Sequence, residues 1–200
     1  MMIEINNHSD NAIIVAHEIY GLNQHMASVC SALGEQGYDV YAPDLLHTTE
    51  PYRYEQEQAA YNDFMAHVGF EKASALILQL AKQLKKQYRN VYLVGFSVGA
   101  TAAWVCSACP DISGVVGYYG SRIRGYKQLE PACPVLLFYP EVEPSFDVDQ
   151  LISELRERPQ IQVHKLTGQH GFGDPYSERY VPASADAAYQ EMLAFLKSIG

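Results

Sequence analysis

Short runs of consecutive apolar residues punctuate the chain, separated by stretches in which apolar side chains recur every three or four positions. The runs at 12–16, 38–42, 91–94, 114–119, 135–139 and 161–166 predict strands, and residues 3–5 a short edge strand. Helical spacing appears in Met26, Val29, Cys30 and Leu33, with Gly37 as a stop signal. It returns in Ala60, Phe64 and Val68, then in Phe70, Ala73, Ile77, Leu80 and Leu84. The Ala-rich stretch 100–108, the set Val148, Leu151, Ile152 and Leu155, and the set Ala188, Met192, Phe195 and Ile199 predict three more helices. Strands that are apolar throughout are buried on both faces, so this alternation predicts an α/β fold with a mostly parallel central sheet and helices on both sides. Its 200 residues suit one domain, 1–200, with a sizeable core.

One stretch breaks the rhythm. Residues 46–58 are polar and aromatic with no period, and a long connection leaving a strand end is where an α/β domain builds a binding surface.

Composition narrows the classes. With 48% apolar and 18% charged residues the chain reads as a folded globular protein. A net charge of −9 without a local basic cluster argues against nucleic acid and anionic membrane as partners. Lys82, Lys85 and Lys86 suit the C-terminus of a helix and its solvated face. The first residues lack the basic and apolar regions of a signal peptide, and no run approaches the ~18 apolar residues of a membrane span. A cytoplasmic protein, monomeric or a small homo-oligomer, is the expectation. Cys106 and Cys109 form a C-x-x-C spacing, but at the end of a predicted helix and without a second Cys/His pair. Reduced, buried thiols are expected there and at Cys30 and Cys133. No metal-binding spacing of the H-x-E or H-E-x-x-H kind occurs, so neither metal nor cofactor is expected.

The chemistry concentrates where the strand 91–94 runs into Gly95-Phe-Ser97-Val-Gly99 and then into the helix at 100–108. Strand, G-x-S-x-G and helix together make a nucleophile elbow, a turn so tight that the residues two positions either side of the serine must be small, and here they are Gly95 and Gly99. The elbow aims Ser97 above the sheet, with the Val98 N–H and the positive helix end facing any oxyanion formed there.

A serine nucleophile needs a base and a group to orient it. His17 and His170 both follow predicted strands in glycine-containing loops. His170 comes last, as the chain order Ser, acid, His requires. The acid then follows the strand at 135–139, where Glu141, Glu143, Asp147 and Asp149 are candidates. Asp147 opens a capping-box pattern before a helix, which leaves Glu143 as the choice and Asp147 as its rival.

His17-Glu-Ile-Tyr-Gly-Leu-Asn23, Gly95-Phe-Ser-Val-Gly99, Val116-Gly-Tyr-Tyr-Gly120 and His170-Gly-Phe172 resemble, in order and spacing, the dienelactone hydrolase family. The resemblance runs from about residue 12 to 197. It implies an α/β-hydrolase fold with Ser97, Glu143 and His170 as catalytic triad and an oxyanion hole at the Ile19 and Val98 N–H groups. It implies that Glu18 sits beside the nucleophile, and it makes Tyr20, Arg53 and Tyr119, with Glu18, candidates for substrate contact. The namesake enzymes carry a cysteine nucleophile where this chain has Ser97, and grip a substrate carboxylate with two arginines. Here Asp174 stands near one of those positions and Arg53 is the candidate for the other. The implied activity is hydrolysis of a small carboxylic ester or lactone through an acyl-enzyme. Acyl transfer by the same triad, and a non-catalytic binding module on the same fold, are the alternatives.

Overall fold

The computed structural model describes residues 2–200. Its seven strands are β1 (Met2–Ile5), β2 (Asn11–Ala16), β3 (Asp39–Pro43), β4 (Asn90–Phe96), β5 (Gly114–Tyr118), β6 (Val135–Val142) and β7 (Ile161–Gln169). They form one sheet in the order β1-β3-β2-β4-β5-β6-β7. Only β1 runs antiparallel, paired with β3 from Met2 opposite Pro43 to Ile5 opposite Val40. The helices are α1 (Gln24–Glu35), α2 (Glu57–Asp63), α3 (Gly69–Leu84), α4 (Val98–Cys106), α5 (Val148–Arg156) and α6 (Pro182–Ser198).

Alternate residues of each central strand feed two separate cores. Ile14, Leu93, Val135 and Leu137 pack on the face covered by α3, α4 and α5. Ile13, Val15, Val94 and Leu136 face α1 and α6, where Met26, Leu33, Met192 and Phe195 meet them. Eight of the nine residues of α4 are buried, as a helix apolar all round must be when it lies between a sheet and another helix. Trp104 anchors it, its indole N–H donating to the Tyr126 carbonyl at 3.0 Å.

The chain leaves β2 for β3 on one side and returns to β4 on the other, so the strand order reverses between β2 and β4. Ligand crevices in open α/β sheets lie at such a point, beyond the carboxyl ends of the strands.

The helix after the polar stretch and the last two strands differ from their sequence expectation. The helical segment carrying Phe64 and Val68 is α2 followed by a π-helical turn, Phe64–Val68, which ends at Gly69 with φ +65° before α3 begins. Residues Ser121–Gly125 wind into a 3-10 turn after β5. The last two strands run longer than their apolar cores, β6 to Val142 and β7 to Gln169, so Glu143 and His170 each directly follow a strand. No helix among the described residues is long and apolar enough to cross a membrane.

Candidate active site

Ser97 sits between β4 and α4 with φ +54°, a left-handed conformation that a serine adopts only when its surroundings impose it. The glycines explain how. A Cβ at Gly95 would lie 2.4 Å from the Gly99 carbonyl oxygen, and one at Gly99 would lie 2.1 Å from that of Ala16. Only glycine lets β2, β4 and α4 approach so closely, and that approach thrusts the Ser97 side chain out of the turn.

His170 reaches Ser97 from the far edge of the sheet. Between Pro140 and Val142 the register of β6 against β7 slips, with Pro140 opposite Leu166 and Val142 opposite Gln169, so β7 carries one extra residue. Gly168, with φ +124°, and Gly171, with φ +91°, absorb the distortion on either side of His170. Gly173, the third glycine of the loop, has no such conformation. The result is a continuous chain of contacts. His170 Nε2 lies 2.8 Å from Ser97 Oγ, and His170 Nδ1 lies 2.8 Å from Glu143 Oε2. Asp147 stays apart: its carboxylate accepts from the Gln150 N–H at 3.0 Å and caps α5.

His17 is a structural anchor. It is fully buried, its Nε2 accepts from the Leu45 N–H at 2.9 Å, and its Nδ1 then donates to the Glu18 carbonyl at 2.6 Å. Desolvation drives its pKa down, which keeps it neutral. The bond to the Glu18 carbonyl fixes the loop that carries Ile19 over Ser97. Ile19 borders the cavities on both sides of Ser97, and Val98 opens α4, whose first-turn N–H groups have no intrahelical acceptor.

The remaining candidates divide. Glu18 and Tyr20 line a cavity of about 400 Å³ on one side of Ser97. Tyr119 does not. It is fully buried, so a substrate cannot touch it; its hydroxyl donates to Glu18 Oε1 at 3.0 Å and its ring packs 5.0 Å from that of His170. Arg53 also departs from its expected place. It is exposed at the start of a 3-10 turn, Tyr54–Gln56, and its neighbours Tyr54 and Glu55 line the cavity in its stead.

Further residues border or back the site. Arg179 borders both cavities and bridges to Glu57 Oε2 at 2.9 Å. Arg122 lines the second cavity, of about 380 Å³, and donates to the Tyr61 hydroxyl. Behind Glu18 lies His25, buried on α1, with Nδ1 3.9 Å from Glu18 Oε1 and 3.6 Å from Asp174 Oδ2. Asp174 is itself buried and accepts from the Tyr54 hydroxyl at 2.6 Å. Burial pushes the Glu18 carboxyl pKa above its ordinary value. The thiols of Cys30, Cys106 and Cys133, away from this site, are buried and pushed up to about 12 by desolvation, and all four cysteines are free.

A parallel sheet with helices on both faces, a positive-φ serine at the end of a central strand and a histidine after the last strand define an α/β-hydrolase fold. Solved structures share it. A dienelactone hydrolase from Anabaena variabilis superposes with a TM-score of 0.73 at 17% identity, over 99% of this chain and 90% of that one. The dienelactone hydrolase-like promiscuous phosphotriesterase P91 from metagenomic libraries gives 0.76 at 17% identity, over 94% and 86%. The profile of the Dienelactone hydrolase family matches residues 2–200, and the chain belongs to that family. Among its relatives, the uncharacterized protein YczH of Bacillus subtilis is 44% identical over 167 residues, 82% of either chain. The carboxymethylenebutenolidase of Pseudomonas putida is 30% identical over 203 residues, 92% of this chain and 84% of that one.

Proposed function

We propose that the protein hydrolyses a small carboxylic ester or lactone through a serine acyl-enzyme. The observation that carries this reading is the unbroken contact chain from Ser97 through His170 to Glu143, with both links at 2.8 Å. Glu143 accepts from His170 Nδ1–H, which leaves Nε2 free to accept the Ser97 proton as Oγ attacks the carbonyl carbon. The negative charge that develops on the carbonyl oxygen is met by the Ile19 and Val98 N–H groups and the positive end of α4. As the tetrahedral intermediate collapses, the imidazolium returns its proton to the departing alkoxide and the acyl group stays on Ser97. Water, deprotonated by His170, then releases the acid. Membership of the family and the name of the Pseudomonas putida relative favour an ester or lactone over an amide.

The test is hydrolysis of 4-nitrophenyl acetate by the purified protein and its Ser97→Ala variant. The variant should lose roughly 10⁴-fold or more in kcat/KM while keeping its circular dichroism spectrum and melting temperature. A variant within tenfold of the parent would refute the serine mechanism.

A further inference from the structure

The cavity bordered by Glu18 is strongly acidic and aromatic. Five carboxylates line it, from Glu18, Glu55, Glu57, Asp174 and Glu178, against the single guanidinium of Arg179. Arg179 is already engaged by Glu57. Among the described residues, no lysine or arginine pairs with Glu18, Glu55, Asp174 or Glu178. Three tyrosines, Tyr20, Tyr54 and Tyr176, form the walls, the first two packed edge to face with centroids 4.9 Å apart.

A second observation comes from behind this cavity. His25 Nδ1 is buried without a hydrogen-bond partner, and it faces the Glu18 and Asp174 carboxylates at distances of attraction too long for a hydrogen bond. Buried polar groups are ordinarily paired, so an imidazole nitrogen left unpartnered beside two buried carboxylates leaves their negative charge without a hydrogen bond from His25. The three atoms lie within 4.8 Å of one another. A bare metal ion is one occupant with that appetite. Glu18 and Asp174, however, already accept from the Tyr119 and Tyr54 hydroxyls, and the rings of Tyr20, Tyr54 and Tyr176 border the cavity, a lining that suits an organic cation.

We propose that this cavity receives a cationic group, an ammonium or quaternary ammonium, carried by the ester substrate, so that the enzyme selects positively charged esters. The inference rests on the reading of Ser97 as the nucleophile, because Ser97 and His170 border the same cavity. An acidic, low-dielectric pocket concentrates cations, and the tyrosine faces stabilise them through their quadrupoles. An anionic substrate, by contrast, would meet four carboxylates that have no cationic partner.

Isosteric esters separate charge from shape. Choline acetate and 3,3-dimethylbutyl acetate differ only by nitrogen for carbon in the alcohol half. The 4-nitrophenyl esters of 4-(trimethylammonio)butanoate and 5,5-dimethylhexanoate do the same in the acyl half. Whichever half occupies this cavity should show a kcat/KM preference for the cation of ~10–30-fold, the scale of one desolvated cation–π contact. The preference should shrink in 1 M NaCl and in the double variant Glu55→Gln/Glu178→Gln, whose substitutions lie at the exposed rim. Ratios at or below one in both pairs, with 4-nitrophenyl acetate still cleaved, would overturn the inference and leave the hydrolase reading intact. If no ester is cleaved, calorimetry with butyltrimethylammonium decides. Saturable binding weakened by Asp174→Asn or by the rim variant upholds the pocket while the hydrolase reading falls, and no binding overturns the pocket as well. Zinc that binds at Glu18, His25 and Asp174 and excludes the ammonium probe would also overturn it.

Discussion

Two imidazoles stand beside carboxylates in this molecule, His170 with Glu143 and His25 with Glu18 and Asp174, and they are built to opposite ends. His170 lies on a loop beyond the sheet, about a quarter of its side chain exposed, with both ring nitrogens 2.8 Å from a partner. His25 sits on α1, 1% exposed, with its carboxylates at 3.6 and 3.9 Å and Nδ1 unpaired. The first arrangement is a line of short contacts, along which the proposed mechanism moves a proton. The second holds two carboxylates under the floor of a cavity with no hydrogen bond from the imidazole beside them, and the cost shows in Glu18, whose charged form burial disfavours.

The sharpest way to break this contrast is Glu143→Gln. The amide keeps the size of the side chain but favours the wrong tautomer and leaves the imidazolium unsupported, so kcat should fall by up to ~10⁴-fold, the scale of the same change in a protease triad. Steady-state kinetics with 4-nitrophenyl acetate measure it. An active Glu143→Gln would pull His170 down to the status of His25, an imidazole merely near a carboxylate.

Glu18→Gln addresses the other assembly, and its signature is stability against pH. Below the ordinary glutamate range both folded and unfolded chains hold the proton, and Glu18 adds no pH dependence. Above that range the unfolded chain ionises first because the folded carboxyl has the raised pKa, so Glu18 erodes stability as pH rises until the folded group ionises too. The Gln variant lacks this loss. Its stability relative to the parent should grow by up to about 1.4 kcal/mol per pH unit in that window, read from urea melts between pH 4 and 8. A difference independent of pH would contradict the raised pKa of Glu18.

The smallest effect belongs to Asp147, the rival acid. Asp147→Ala should cost about 1 kcal/mol of stability through loss of the α5 cap, and Asp147→Asn much less, since asparagine caps nearly as well. Both should keep ester hydrolysis within a few-fold of the parent. Thermal melts and kinetics on the pair test this together, and a large catalytic loss in Asp147→Asn would reverse the assignment of the acid.

The same contrast explains what could be read from the chain in advance. Ser97, Glu143 and His170 each follow a strand in a fixed order, and Gly95 and Gly99 mark the elbow locally, so this line of contacts is written in short segments. The five inner strands β2 to β6 were legible for a related reason: each is built on a run of buried residues, most of them apolar. The cavity is assembled differently. Tyr54 meets Asp174 across 120 positions and Arg179 meets Glu57 across 122, and neither pairing leaves a local period. Arg53 and Tyr119 mislead because one position along the chain reverses a side chain's surroundings. Tyr54 turns inward where Arg53 points to solvent, and Tyr119, beside Gly120, is sealed beneath the site it was expected to line. The π-helical turn at Phe64–Val68 keeps a helical apolar spacing, so nothing in the pattern distinguishes it from an ordinary helix.

Active-site titration with a fluorophosphonate tests the central claim most directly, because it reports the nucleophile itself rather than turnover of a chosen substrate. Intact-mass and peptide mass spectrometry of the treated protein should find one adduct per chain, on Ser97, absent from Ser97→Ala and formed far more slowly in His170→Ala. A protein that stays unlabelled, or one labelled at another residue with Ser97 untouched, would contradict the assignment of Ser97 as an activated nucleophile.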